Sequence, residues 1–163
     1  MVWKILIMVV VTLIYVFYRV YLKDFIEVRK TFMTLKKFLS TRDALLLKLL
    51  PELKNTIDAN KILSFVEERR LNFESSYNNA IKSDVKLNKE LKTTYAKISK
   101  TKLNSISSQL FNTILKTESE LKTLRAKYNE TVEKYNNNLV KHNFVCLKVI
   151  KMKPLDTYKV MQK

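Results

Sequence analysis

Glycine is absent from all 163 residues, and proline occurs twice, at Pro51 and Pro154. Tight hairpins and phosphate-cradling loops depend on glycine for positive φ angles. Neither a P-loop nor a dinucleotide-binding fingerprint can be written without it. The composition therefore predicts an all-α chain with polar turns, and its length predicts one domain with a proper core. Cys146 is the single cysteine, so no intramolecular disulfide can form, and His142 is the single histidine. A metal site would need Asp and Glu for most of its ligands, and no acidic cluster has the required spacing. His142 and Cys146 lie four apart, but nothing in the sequence orients them as a base and nucleophile. No cofactor is expected.

Charge is abundant but lopsided. There are 31 basic against 15 acidic residues, a formal net charge of +16, and 25 of the basic residues are Lys. Such a field attracts anionic partners, either lipid headgroups or nucleic acid. The Lys are spread along a chain also rich in Asn, Ile and Tyr, as codon bias in an AT-rich genome would produce. No nucleic-acid-binding signature accompanies them. Nucleic acid is thus a minor expectation, and a basic binder of anionic membrane surface is the alternative to the main functional reading.

Residues 5–18 (ILIMVVVTLIYVFY) are apolar except for Thr12. Fourteen helical residues span about 21 Å of a hydrocarbon layer about 30 Å thick. Residues 1–22 reach about 33 Å if Lys4 and Arg19 extend their charges to the interfaces. Trp3, Tyr15, Tyr18 and Tyr21 then fall near the two surfaces, as amphipathic rings prefer. A cleaved signal peptide needs a small residue before its cleavage site, and none occurs between the apolar run and Ser40. The segment reads as an uncleaved anchor, with a buried core helix as the alternative. Arg19, Lys23, Arg29, Lys30, Lys36 and Lys37 follow the run, against Lys4 and the α-amino group before it. This imbalance predicts a body on the cytoplasmic side. The expected organisation is a transmembrane anchor at 1–23, a helical body at 24–143 and a basic tail at 144–163.

Within the body, Phe25, Val28, Phe32, Leu35, Leu39, Leu46, Leu49 and Leu53 alternate in steps of three and four, interrupted at Arg42. That spacing is one stripe of a long helix. Pro51 predicts a kink or restart near Leu49, and Asn60 is a candidate cap. A second helix is expected through Ile62, Val66, Phe73, Tyr77 and Ile81, with Glu67 to Arg70 on its wet side. Ser83 or Asp84 then begins a third helix, carrying Leu87, Leu91, Tyr95 and Ile98. The last stripe runs through Leu110, Ile114, Leu121, Leu124, Tyr128, Val132, Tyr135, Leu139 and His142. It places Tyr128 and Tyr135 in the core, one heptad apart, where their rings fill layers between helices. Asn129 and Asn136 lie one residue round, where an amide bonds to another helix or meets water.

The stretch TESELKTLRAKYNETVEKYNNNL, residues 117–139, resembles the signature helix of the LemA family. Thr117-Glu118, Arg125, Tyr128-Asn129 and Tyr135-Asn136 stand in the family's order and spacing. LLPEL at 49–53, containing Pro51, resembles its Leu-Ile-Pro-Asn-Leu segment, and the N-terminal anchor matches too. The chain departs from the pattern at Leu46, where the family has Arg, at Glu52 for Asn, and after residue 139, where Phe-Pro and a later glycine are missing. Residues 67–108 match in helical character alone, so the chain resembles a divergent member.

The resemblance implies a bacterial single-pass protein of the inner (cytoplasmic) membrane, whose body is an antiparallel four-helix bundle without known catalytic residues. It also implies a scaffold or interaction role. Glu118 and Arg125 are expected to bond polar groups of neighbouring helices, since a partly buried charge must be satisfied. The functional expectation is accordingly a membrane-anchored protein-interaction module that is not an enzyme. Its protein partners and oligomeric state are not legible in the sequence.

Overall fold

The computed structural model describes residues 2–53, 57–142 and 152–158, apart from the side chain of Val20. Among the described residues there are four α-helices and no strand. They are α1 (Val2–Leu49), α2 (Ala59–Ser75), α3 (Tyr77–Ile98) and α4 (Ser105–Lys141), with a 3-10 turn at Leu50–Leu53. Helix α1 is unbroken for 48 residues, so the apolar run and the first stripe of the body form one rod. Nothing between them is a helix breaker. Pro51 ends the rod because it has no N–H to bond back to Leu47 and its ring crowds that carbonyl. The result is a stop and a restart rather than a kink, and Leu53 and Ile57 still reach the core.

The helix ends explain where the sequence boundaries shift. Asp58, not Asn60, caps α2, its carboxylate accepting from Lys61 N at 3.0 Å. Asn60 already lies inside the first turn. The second and third helices divide at Ser76, earlier than the expected Ser83 or Asp84. Ser76 is extended (φ −165°, ψ 157°), and its hydroxyl accepts from Asn79 N at 3.2 Å. Phe73, Tyr77 and Ile81 keep helical spacing straight through this one-residue break, which hides it from periodicity. Asn104 caps α4 by accepting from Ser107 N at 2.7 Å. Glu52 also accepts from Asn104 Nδ2 at 2.8 Å and from the Ser107 hydroxyl, tying the 3-10 turn that follows α1 to the start of α4.

Contacts between α1 and α4 run in opposite numerical order. Tyr21 Oη donates to Asn138 O at 3.1 Å, Glu27 meets Lys134 at 3.4 Å, and Arg42 meets Glu118 at 2.9 Å. Helices α2 and α3 also pair in reverse order, Lys61 with Glu90 and Glu68 with Lys86, each at 2.8 Å. The apolar core forms two clusters. One is built on Val28, Phe32, Leu35, Ile81, Leu121, Tyr128, Val132 and Tyr135, and the other on Leu46, Leu49, Ile62, Val66, Leu87, Leu91, Phe111 and Ile114. Full burial of such a side chain contributes about 1.5–3 kcal/mol, so the clusters are the main favourable term in folding.

Among the described residues nothing packs on α1 before Phe17. Trp3 is 76% exposed, Ile7 57% and Val11 58%, so the apolar run up to Val16 is bare on every face and is not a core helix. The body begins where Phe17 and Tyr21 meet His142, at ring separations of 5.0 and 5.7 Å. Helix α1 is long and apolar enough over this stretch to cross a membrane.

Candidate functional site

Between the two apolar clusters lies a layer of charge to which every helix contributes. Arg42 and Asp43 come from α1, Arg69 from α2, Asp84 from α3, and Glu118 and Arg125 from α4. Arg42 and Asp84 are fully buried and Arg69 is 1% exposed. Asp84 is the hub. One carboxylate oxygen accepts from Arg42 at 3.0 Å and Arg69 at 3.1 Å, and the other accepts twice from Arg125, at 3.1 and 3.2 Å. Glu118 takes Arg42 at 2.9 Å and Arg125 at 3.4 Å, while Asp43 pairs with Arg69. Arg69 also donates to the Leu39 carbonyl at 3.2 Å.

These three guanidinium groups and three carboxylates balance formally. Burial alone would push the Asp84 carboxyl up, but Arg42, Arg125 and Arg69 outweigh it and hold the group well below the usual carboxylate range. Burial opposes the charge on Arg42 and Arg125 as well. It is overcome by Asp84 and Glu118, and both pKa values end raised. Arg69 is lowered to about 10 by burial and then by repulsion from Arg42, so it stays charged at neutral pH. Burial, followed by Glu118, raises the Tyr95 hydroxyl, and burial followed by Asp84 raises that of Tyr158. A general acid or base works best with a pKa near the operating pH. Asp84, Arg42, Arg125, Tyr95 and Tyr158 are all displaced away from neutrality, and Arg69, although lowered, still lies well above it.

Four of the six charges in this layer were hidden in the sequence, Asp43 among them. Arg42 figured as an interruption of a stripe, Arg69 as part of a wet face, and Asp84 as a helix start. In fact each occupies a core register: Arg42 lies between Leu39 and Leu46, Arg69 between Val66 and Phe73, and Asp84 between Ile81 and Leu87. Charges at stripe positions on three separate helices, with both signs represented, were the available signal.

The Tyr-Asn pairs of α4 build a second feature. Tyr128 and Tyr135 are buried, at 0% and 2% exposure. Asn129 and Asn136 bond neither to another helix nor to solvent alone, but to the main chain of residues 152–158. Asn136 Nδ2 donates to the Leu155 carbonyl at 2.7 Å, and its Oδ1 accepts from Leu155 N at 3.0 Å. Asn129 Oδ1 accepts from Tyr158 N at 2.8 Å, and Asn78 Oδ1 on α3 accepts from Asp156 N at 2.9 Å. The Tyr135 hydroxyl donates to the Lys153 carbonyl at 3.2 Å. Seven helical residues advance about 10.5 Å and three extended residues about 10 Å, so the heptad spacing of the two amides matches Leu155 and Tyr158.

Tyr158 ends this segment as an anchor, 3% exposed. Its ring stands edge-on to Tyr128 at 5.9 Å, and the Arg125 guanidinium lies 5.7 Å from its centre. Among the described residues, Tyr158 and Asn129 also line one end of a cleft of about 560 Å³ between α3 and α4, which reaches Lys122 and Glu118. Part of the expected 144–163 tail is therefore seated on the helices. Pro51 lies exposed in the 3-10 turn and belongs to neither feature. No group of three or more potential ligands that could hold a metal occurs among the described residues. His142 packs against Phe17 and Tyr21, and Cys146 lies outside the described residues.

The chain matches no protein-family model and no curated protein.

Proposed function

We propose that the chain is a membrane-anchored interaction module, with an antiparallel four-helix bundle held at the inner membrane by the first part of α1 and facing the cytoplasm. The observation that carries this reading is the continuity of α1. A bare apolar stretch passes without a break into the helix that supplies Arg42 and Asp43 to the buried layer. Such a rod couples a bilayer to a body mechanically, which suits a tether. The resemblance of residues 117–139 to the LemA signature agrees with it, and on that resemblance the chain is a divergent bacterial member.

The charged layer suits a structural role better than chemistry. Its charges balance, Asp84 is held well below neutrality while its three guanidinium partners stay charged, and a one-turn slip of any helix would strand a buried ion. Removing one partner from such a network costs about 3–5 kcal/mol, so the layer fixes helix register. We assign no catalytic role to Glu118 or Arg125. Crosslinking in native membranes followed by extraction tests the reading. Partners recovered reproducibly and retained in high salt support it, whereas purely salt-sensitive, nonspecific association would count against it.

A second reading draws on the balance within that layer. Because its six charges cancel, the whole +16 surplus lies elsewhere in the chain. A basic body beside an anionic leaflet gains about 1 kcal/mol for each Lys or Arg near the surface. Binding to vesicles with and without anionic lipid, measured across a salt series, separates this reading from the first, and a flat response removes it.

A further inference from the structure

Tyr158 packs into the core with Met152 and Leu155 against it, and the polar contacts that hold residues 152–158 are of the kind used in peptide recognition. Asn136, Asn129, Asn78 and Tyr135 all bond to main-chain groups, which any extended sequence offers. The most deeply seated ring of the segment is that of Tyr158, between Tyr128 and Arg125, with Met152 and Leu155 packed less closely against the core. The seated segment runs from Asn136 toward Asn129, and α4 continues in that direction past Arg125 and Lys122 to Glu118. The open cleft therefore prolongs the same groove. From Asn129 to Glu118 is about 16 Å of helix, room for about five extended residues.

Charge distinguishes between occupants of that open stretch. Lys92 from α3 and Lys122 from α4 are exposed on its walls, and neither pairs with an acidic group among the described residues. Arg125 adds a third cation and Glu118 the single anion, both already engaged in the buried layer. The chain's own next residues are Lys-Val-Met-Gln-Lys, basic and without an acidic side chain. They are mismatched to these walls, and an acidic sequence is matched.

We propose that the α3–α4 groove binds an extended peptide of a partner protein, with an aromatic residue in the seat of Tyr158 and acidic residues following it over Lys92 and Lys122. Residues 152–158 of the chain compete for the first half of the groove. The proposal rests on the interaction-module reading and names the partner's chemistry.

Fluorescence anisotropy with synthetic peptides tests it, using the full chain in a nonionic detergent. The probes are residues 152–158 extended by a run of Glu or by a run of Lys, and the Glu peptide with its Tyr replaced by Ala. Tyr158→Ala vacates the seat, so this variant binds the Glu peptide more tightly than the wild type does. It prefers Glu over Lys peptide by roughly five- to tenfold, the scale of a few partly screened ion pairs. The preference is lost in Lys92→Glu/Lys122→Glu, and both peptides weaken in Asn129→Ala/Asn136→Ala. Equal affinity for the two peptides, or no binding to a Tyr158→Ala chain of unchanged helicity, overturns the proposal.

If Tyr158→Ala does not fold, the wild type serves: excess Glu peptide should hasten proteolysis of its displaced tail more than Lys peptide does, and equal rates overturn the idea. Peptides that fail to bind while specific partners still crosslink in membranes remove the groove and leave the wider reading standing. Peptide binding without any specific membrane partner counts against the wider reading and not against the groove.

Discussion

Asn136 holds both polar groups of Leu155, donating to its carbonyl at 2.7 Å and accepting from its N–H at 3.0 Å. A side-chain amide here takes the place of a neighbouring strand. Asn137, the next residue, is exposed and makes no such bond. Asn136→Ala should loosen residues 152–158 by about 1–3 kcal/mol, since each bond is worth about 0.5–1.5 kcal/mol net. Limited proteolysis with a nonspecific protease should then cut this segment much faster than in the wild type, with Asn137→Ala indistinguishable from wild type.

Tyr128 and Tyr135 look equivalent in the sequence but differ at the hydroxyl. Tyr135 Oη donates to Lys153 O at 3.2 Å, whereas Tyr128 Oη has no hydrogen-bond partner among the described residues. Replacing either by Ala removes a ring from a close-packed core and should cost about 3–5 kcal/mol. The Phe variants should diverge. Tyr135→Phe loses about 0.5–1.5 kcal/mol, and Tyr128→Phe should be neutral or slightly stabilising because it removes a buried unsatisfied group. Denaturant midpoints of the four variants check both claims.

The buried layer predicts a contrast between adjacent arginines. Arg69 is enclosed and paired with Asp43 and Asp84, while Arg70 is exposed. Arg69→Ala should cost about 3–5 kcal/mol through its stranded partners, and Arg70→Ala should stay within about 0.5 kcal/mol of wild type. Equal, small effects from both would mean that the layer does not hold the helices in register.

Why the sequence disclosed some of this and hid the rest follows from what periodicity measures. Val28, Phe32, Tyr128, Val132 and Tyr135 are apolar and recur on one face, so their burial was readable. The break at Ser76 was not, because one extended residue left Phe73, Tyr77 and Ile81 in phase. Arg69 and Asp84 were missed since a charge is placed in water by default, and only a partner of opposite sign on another helix overrides that. The destination of Asn129 and Asn136 depended on residues 152–158 folding back, a long-range event that no local pattern encodes.

Acid should weaken the fold through Asp84. Its folded pKa is held below the unfolded value of about 3.9, so its contribution is complete at neutral pH. That contribution is lost as pH falls from about 5 through the unfolded pKa toward the lower folded one. The denaturant midpoint should therefore decline steadily below about pH 5. Asp84→Asn should be less stable at neutral pH and show a shallower decline, and parallel curves for the two proteins would contradict the assignment.

The tether itself is tested most directly by extracting membranes with alkaline carbonate, combined with protease digestion from the periplasmic side. The account predicts that the full chain stays in the membrane pellet and that its body, from Tyr21 to Tyr158, is shielded in spheroplasts and cut once they are lysed. Release of the intact chain into the carbonate supernatant would contradict it.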